Sequence, residues 1–253
     1  MLSIERPIGT KGSIDGRTAG IRGLEANGSK EAYIIRYAGW KVYILKDNSA
    51  DSGQRKIYED LLDRLANADI ADSAEHLDLL LNDAGEAEAP FFGTTYLVSR
   101  EGVRRSDGQR FPYAAGSVMI HYILKGCRSR AEGKFVTFEE LPGPLFKQGS
   151  YSQGALESPI IKRFQGRLTE LLAAASLVGG RLGGEAGLGA MSLIFDLLPH
   201  IPLQLIFYDR DDEFPARVTL LFDHNATQMI DFEVLAVLVT LLVQSLTKPW
   251  GQR

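Results

Sequence analysis

Cysteine is nearly missing from this chain: Cys127 is the only one. No internal disulfide can form, and no cysteine-ligated cluster can be built within one chain. That usage fits a reducing compartment. Positive charge is not in excess either. The 28 Lys and Arg residues stand against 32 Asp and Glu, for a net charge of -4. The basic stripe that marks a nucleic-acid surface is therefore missing. The first residues, MLSIERPIGTKGS, lack the apolar core of a signal peptide. The most apolar helical run, Phe232 to about Leu246, falls short of the roughly 20 residues needed to cross a bilayer. These absences predict a cytoplasmic protein with no membrane span and no nucleic-acid partner. Familiar catalytic motifs are missing too. No Gly-Lys-Ser/Thr follows a glycine-rich loop, there is no dinucleotide fingerprint, and the Gly-x-Ser-x-Gly elbow is absent.

What is present reads as a folded protein. Hydrophobic content of 45% and charged content of 24% are ordinary for a globular chain. The length of 253 residues allows one large domain or two small ones. The clearest unit is the last third. Leu203 to Tyr208 is a short apolar run launched by Pro202, as expected of a buried strand. Asp209 to Glu213 is too polar for core and reads as a loop. Ala216 to Phe222 returns as a second strand, so 202–222 is predicted to be an antiparallel hairpin. Asp231 can cap the helix that follows, which is apolar nearly all round and should lie buried on the sheet. Lys248 and Pro249 mark its end.

Upstream, residues 1–31 are rich in glycine, slightly basic and without apolar period. They read as a mobile N-terminal arm. Residues 32–46 read as two short strands around Ala38-Gly39. Residues 51–88 are acidic and helical in pattern, with Ile57, Leu61, Leu62 and Leu65 on one face. A second helix is expected from about Asp69 to Leu81. The acidic excess there reads as a solvated face. The segment FFGTTYLVS reads as one strand, and EGVRRSDGQRF as a hairpin turning at Asp107-Gly108. Ser117 to Lys125 is predicted to be a helix stopped by Gly126. Lys134 to Phe138 is a short strand. Ser158 before Pro159 reads as an N-cap for a helix that continues to Gly179-Gly180. The expected fold class is α+β: an antiparallel sheet with flanking helices, in a single domain over 32–253.

Several ordered motifs carry a resemblance. They are Phe92-Gly93-Thr94-Thr95-Tyr96, then His121-Tyr122, then Phe138-Glu139-Glu140-Leu141-Pro142-Gly143. Leu198-Pro199-His200-Ile201-Pro202-Leu203, Asp212-Glu213-Phe214-Pro215 and Leu221-Phe222-Asp223 follow. Over about 91–246 the chain resembles a bacterial and archaeal family, the domain of unknown function numbered 3786. The resemblance implies an anaerobe, where members are common, sometimes fused to or found near iron–sulfur and corrinoid proteins. It implies no particular activity.

Candidate sites follow from residue chemistry. His121 and Tyr122 lie in an apolar stretch and could bind a cofactor, together with Glu140 and Glu213. A core histidine bonded to a carbonyl is the plainer role for His121. His76 reads as solvated and His200 as a turn residue. The loop bearing Asp209, Asp211 and Asp212 could hold calcium or magnesium through its oxygens, although it lacks the register of an EF-hand. Glu213, followed by Phe214-Pro215, reads as aimed inward. Gly180, Arg181 and Gly183 could cradle an anion through backbone N–H groups. Asp223 reads as an Asx turn. Phe135, Phe138, Phe146 and Tyr151 could line a flat pocket or pack in the core.

These readings favour a non-catalytic binding or accessory protein for a metallocofactor, corrinoid or iron–sulfur enzyme system. A tetrapyrrole, a corrinoid or a divalent metal is the expected cofactor class, and a protein partner is expected. One alternative is an enzyme using His121, Glu140 or Glu213 as acid or base. Another is an assembly subunit tethered by its N-terminal arm. Oligomeric state is left open.

Overall fold

The computed structural model describes residues 32–37, 40–45, 48–142, 154–184 and 186–247. The expected arm over 1–31 lies outside these residues. So do Phe146, Tyr151 and the expected stop at Lys248 and Pro249.

The described chain is α+β with antiparallel sheets, as the sequence predicts. It opens with the hairpin β1 (Ala32–Tyr37) and β2 (Trp40–Leu45). Helices α1 (Asn48–Ala66) and α2 (Ile70–His76) follow. A four-stranded sheet then forms in sequence order from β3 (Leu80–Leu81), β4 (Ala87–Phe91), β5 (Thr94–Ser99) and β6 (Gly102–Arg105). Helix α3 (Tyr113–Lys125) leads to β7 (Phe135–Thr137). Next come α4 (Glu157–Phe164), α5 (Leu168–Leu177) and β8 (Arg181–Leu182). The last strands are β9 (Ala190–Leu198), β10 (Ile201–Tyr208) and β11 (Arg217–Asp223). Helices α6 (Ala226–Met229) and α7 (Phe232–Thr247) end the described chain. The second large sheet has the order β7-β11-β10-β9-β8.

Strand alternation builds the core of that sheet. Leu203, Leu205 and Phe207 of β10 are fully buried. They pair in register with Phe195, Leu193 and Met191 of β9 and with Phe222, Leu220 and Val218 of β11. Helix α7 buries Leu235, Leu238, Val239 and Leu242 against neighbours that include β9, α3, α4 and α5. Helix α3 packs against α1, α2, β6 and α7, and the two large sheets meet where β4 touches β9. One buried apolar cluster runs from Tyr58 to Leu246.

Local chemistry moves several expected boundaries. The α1 face is rotated: Tyr58, Leu61 and Leu65 are buried, while Ile57 is exposed. The second helix ends at His76, because Asp78 takes a left-handed φ of 53° and Leu80–Leu81 pair with β4. The strand expected over FFGTTYLVS is split by a turn, since Phe92 and Gly93 have φ of 47° and 73°. Two successive positive φ values suit a tight hairpin turn. Strand β5 returns to β6 through Arg100-Glu101, with Ser99 paired to Gly102. Asp107-Gly108 makes a later turn, in which Asp107 accepts the Gln109 N–H at 3.0 Å. The helix expected after Ser158 is two helices, broken where Gly166 takes a φ of 69°. Ser158 lies inside α4, and no side chain caps its start. Asp231 turns its carboxylate to Lys125 at 2.5 Å and so joins α7 to the end of α3. Strand β9 was not anticipated.

One backbone contact joins the two halves of the core. A β-carbon on Gly93 would lie 2.9 Å from the Leu177 carbonyl oxygen and 3.4 Å from the Gly179 nitrogen. Gly85 has a similar φ of 75° but open space around it. Gly85→Ala should therefore cost about 1–2 kcal/mol from backbone conformation alone. Gly93→Ala should cost at least about 2 kcal/mol more, since backbone must move. Urea unfolding of the two variants compares them directly. Equal losses would show that the Gly93–Gly179 approach does not constrain the fold.

Candidate functional site

Strands β9 and β10 are joined by Pro199 and His200. His200 completes the turn with a φ of 65°. Holding a β-carbon in that region costs about 1–2 kcal/mol. The turn faces Asp78, itself left-handed. His200 Nε2 lies 3.2 Å from Asp78 Oδ2, within charge-pairing distance but without hydrogen-bond alignment. Arg130 donates to the same oxygen from Nε at 3.1 Å and from Nη2 at 2.7 Å. From the other side, the Tyr122 hydroxyl donates to the Pro199 carbonyl at 2.8 Å. Burial pushes that hydroxyl well above the usual tyrosine range, so it remains a donor.

Three separate segments thus hold one turn: Asp78 and Tyr122 directly, and Arg130 through Asp78. Asp78, Phe92 and His200 are the non-glycine residues with positive φ among the described residues. Two of these three meet here. Strain that persists in a folded protein clusters at functional positions, and the inference runs from the observed outlier to a site. A cleft of about 270 Å³ opens beside the turn, lined by Asp78, Leu80, Glu88, Pro90, Thr95 and Pro199 among others.

His76 borders the same region. Its Nδ1 lies 3.2 Å from the Gly126 carbonyl, which can only accept, so Nδ1 carries the proton. Arg128 reaches its Nε2. His76 is therefore half-buried and held, in contrast to the solvated role expected. Cys127 is half-buried nearby. Burial raises its thiol, but hydrogen bonds with Ser129 and the charges of Lys125 and Arg130 outweigh that and bring it below the usual range.

The residues singled out in the sequence are not brought together. His121 is half-buried on α3. Burial pushes its imidazole below its ordinary 6.5; the charge of Arg64 adds to this and Asp231 opposes it. Its ring makes no hydrogen bond to any described residue. Tyr122, one position on, is committed to Pro199. Glu140 folds back on its own turn, accepting the Thr137 N–H at 2.8 Å and the Thr137 hydroxyl at 2.9 Å. Those bonds hold its carboxyl below the usual range. Glu213 and Phe214 are exposed, so the inward aim expected of Glu213 is not found. Asp211 ties that loop instead, accepting the Phe214 N–H at 2.7 Å and the Glu213 N–H at 2.9 Å.

Nor does the acidic loop gather into a metal cage. Asp209 accepts the Gly166 N–H at 2.7 Å and the Arg210 N–H at 2.8 Å. Among the described residues no three His, Cys, Asp or Glu side chains, Asp209, Asp211 and Asp212 included, form a group able to hold a metal ion. The glycine-rich anion cradle is also corrected. The Gly180 N–H donates to the Ala175 carbonyl at 2.8 Å, and the Gly183 N–H to the Ser192 carbonyl at 3.2 Å. Arg181 pairs with Asp196 at 2.6 Å. Those donors are already used by β8 and the end of α5. Phe138 packs on Phe222 and Phe232, a core role. Asp223 is fully buried and makes the expected Asx turn with Asn225, while also accepting the Gly133 N–H at 2.7 Å. Asp78 and Arg130 carried no local signal; only the prolines around His200 pointed to the turn.

These features define an α+β protein with two large antiparallel sheets, a buried helix α3 and a charge-clamped, strained turn. The chain belongs to the family described as Domain of unknown function (DUF3786), whose model matches residues 69–245. The match starts at the N-cap of α2, so Asp78 and β3 lie within it. No curated protein and no solved structure matches the chain. Among the described residues no helix is long and apolar enough to cross a membrane.

Two outcomes test this geometry. His200→Gly and His200→Ala both lose the imidazole, but only alanine keeps the left-handed β-carbon. The glycine variant should be more stable by about 1–2 kcal/mol in chemical unfolding; no difference would mean the turn carries no such strain. His121 gives a pH signature. Its folded value lies below 6.5, so between the two values the unfolded chain binds more protons. Stability from His121 is complete above about pH 6.5 and is lost as pH falls through the folded value. The melting temperature of the wild type should drop more than that of His121→Gln over that window. Parallel curves would remove His121 from the titration.

Proposed function

We propose that the protein is a non-catalytic binding or accessory protein that serves a metallocofactor, corrinoid or iron–sulfur enzyme system in an anaerobe. A cytoplasmic location is part of this reading. The observation that carries it is leucine exposed on sheet edges. Leu80 and Leu81 of β3 are 72% and 44% exposed, and Leu182 of β8 is 66% exposed. Both strands end their sheets. Edge strands are normally guarded by charge, proline or a covering element. Leucines at such positions fit a surface that a protein partner covers.

His121 supports the cofactor side. Burial and the charge of Arg64 disfavour its charged form, and no described residue hydrogen-bonds its ring. His121 would supply one nitrogen donor to a tetrapyrrole or corrinoid metal if such a group were bound. Such a group, when bound, would supply redox or group-carrying chemistry. Glu140 and Glu213 do not fit it, being bonded to Thr137 and exposed in a distant loop respectively. No hydrogen bond or ion pair links His121, Glu140 and Glu213, so the enzyme reading gains no support from geometry.

Anaerobic purification from the native host tests the proposal. A visible absorption band is expected in the wild type. It should weaken or shift in His121→Gln with the melting temperature near pH 7.5 kept within about 2 °C. A colourless, metal-free protein with a stable partner would move the reading to an assembly role. A colourless protein with no partner would sink it.

A further inference from the structure

We infer that the groove between α2 and the edge strand β3 is a docking surface for an extended segment of a partner protein, one that alternates apolar and basic side chains. This rests on the reading of the chain as a binding protein and names the partner's chemistry. The groove measures about 530 Å³. Ala71 and Ala74 on one face of α2 keep it open, and Leu79, Leu80 and Leu81 form its apolar wall. Its rim carries Asp69, Asp72 and Glu75, and no Lys or Arg is among its lining residues.

The carboxylates differ in what they have left to offer. Asp69 caps α2 by accepting the Asp72 N–H at 3.1 Å. Asp72 lies 3.4 Å from His76 Nε2. The Glu75 carboxylate pairs with no described residue. Together they make an acidic rim above an apolar wall, which selects the occupant by charge. Nucleic acid carries the wrong sign. A second copy meeting this groove about a twofold axis would set the three carboxylates against themselves. A strand laid beside β3 would extend the β3-β4-β5-β6 sheet, as edge-strand recognition does elsewhere. Alternate side chains of an extended segment point to opposite faces. One set can therefore lie on one of the two leucines, which as neighbours on a strand face opposite ways, while lysines or arginines of the other set reach the α2 rim. Because β3 is only two residues long, the paired stretch is short.

The test uses the full chain and a labelled synthetic peptide of about ten residues, lysine alternating with valine or threonine. Fluorescence anisotropy should show saturable binding to the wild type. Binding should weaken about tenfold or more in the double variant Leu80→Ser, Leu81→Ser, and also in Asp72→Asn, Glu75→Gln. The substituted positions are exposed, and unchanged melting temperatures check that the fold is kept. A glutamate version of the peptide should not bind. The proposal is overturned if the lysine peptide does not bind, or binds every variant equally, which is unspecific charge attraction. Tighter binding by a peptide copying residues 1–31 would assign the groove to this chain itself and overturn it. So would a wild-type dimer that the leucine variant dissociates. Failure here leaves the absorbance test untouched, and a colourless protein leaves the peptide result untouched.

Discussion

Helix α3 has to find apolar neighbours on almost every side, because residues 114–120, Tyr122 and Ile123 are all buried. A helix can be enclosed this way since its backbone groups satisfy one another. Close approach is set by Gly116, where a β-carbon would lie 2.6 Å from the Tyr58 ring and 2.7 Å from the Phe111 ring. Tyr58, Phe111 and Tyr113 form an aromatic collar around that position. Helices α1, α2 and α7 and strand β6 pack around this enclosed rod. Its polar groups leave by few routes. Tyr122 reaches the β9–β10 turn, Lys125 reaches Asp231, and His121 opens toward Arg64 and Asp231. The site is thus a consequence of how the core is closed.

What could be read from sequence follows from the range of the interactions. The β10–β11 hairpin and α7 were legible because alternation, a polar loop and an uninterrupted apolar helix all lie within a few residues. Gly126 as a helix stop was legible for the same reason, and it takes the left-handed φ of 47°. Strand β9 escaped because SLIFDLL mixes helical and strand spacing, even though Pro199 and His200 marked the turn after it. The Phe92-Gly93 turn escaped because a phenylalanine at positive φ has no composition signal. The cluster at the β9–β10 turn was beyond local reading. Arg130 and Asp78 are 52 residues apart, and Tyr122 and Pro199 are 77 apart. Only packing around α3 brings them together.

Charged residues show why composition misleads about chemistry. The acidic loop after β10 looked like a metal site, yet Asp209 and Asp211 accept backbone N–H groups that the turns would otherwise leave unpaired. Asp223 does the same while fully buried. A carboxylate that accepts two backbone donors is tied to the shape of the chain and has little freedom to reorganise around an ion. The glycine-rich stretch before β9 follows the same rule. The amides of Gly179, Gly180 and Gly183 complete a strand pair and a helix end, so they are not free to cradle an anion. In each case the hydrogen-bond count of the backbone settled the residue's role before any ligand could.

The strained turn and the open edge of β3 share a neighbourhood, and α3 supplies the reason. Successive helical residues point about 100° apart. Tyr122 therefore faces the β9–β10 turn while His121 faces away from it. A ligand held by His121 would sit on α3, whereas a partner seated along β3 would contact α2 and β3. Asp78 sits between them in structure: it follows α2, precedes β3 and pairs with His200 and Arg130. A displacement of β3 by a bound strand would act first on that carboxylate, then on the turn that Tyr122 fixes. Whether energy passes along this path depends on the turn having a second stable arrangement. The positive φ of His200 and Asp78 supplies the physical basis for one, because releasing either residue into the ordinary left half of φ space lowers its local energy while parting His200 from Asp78.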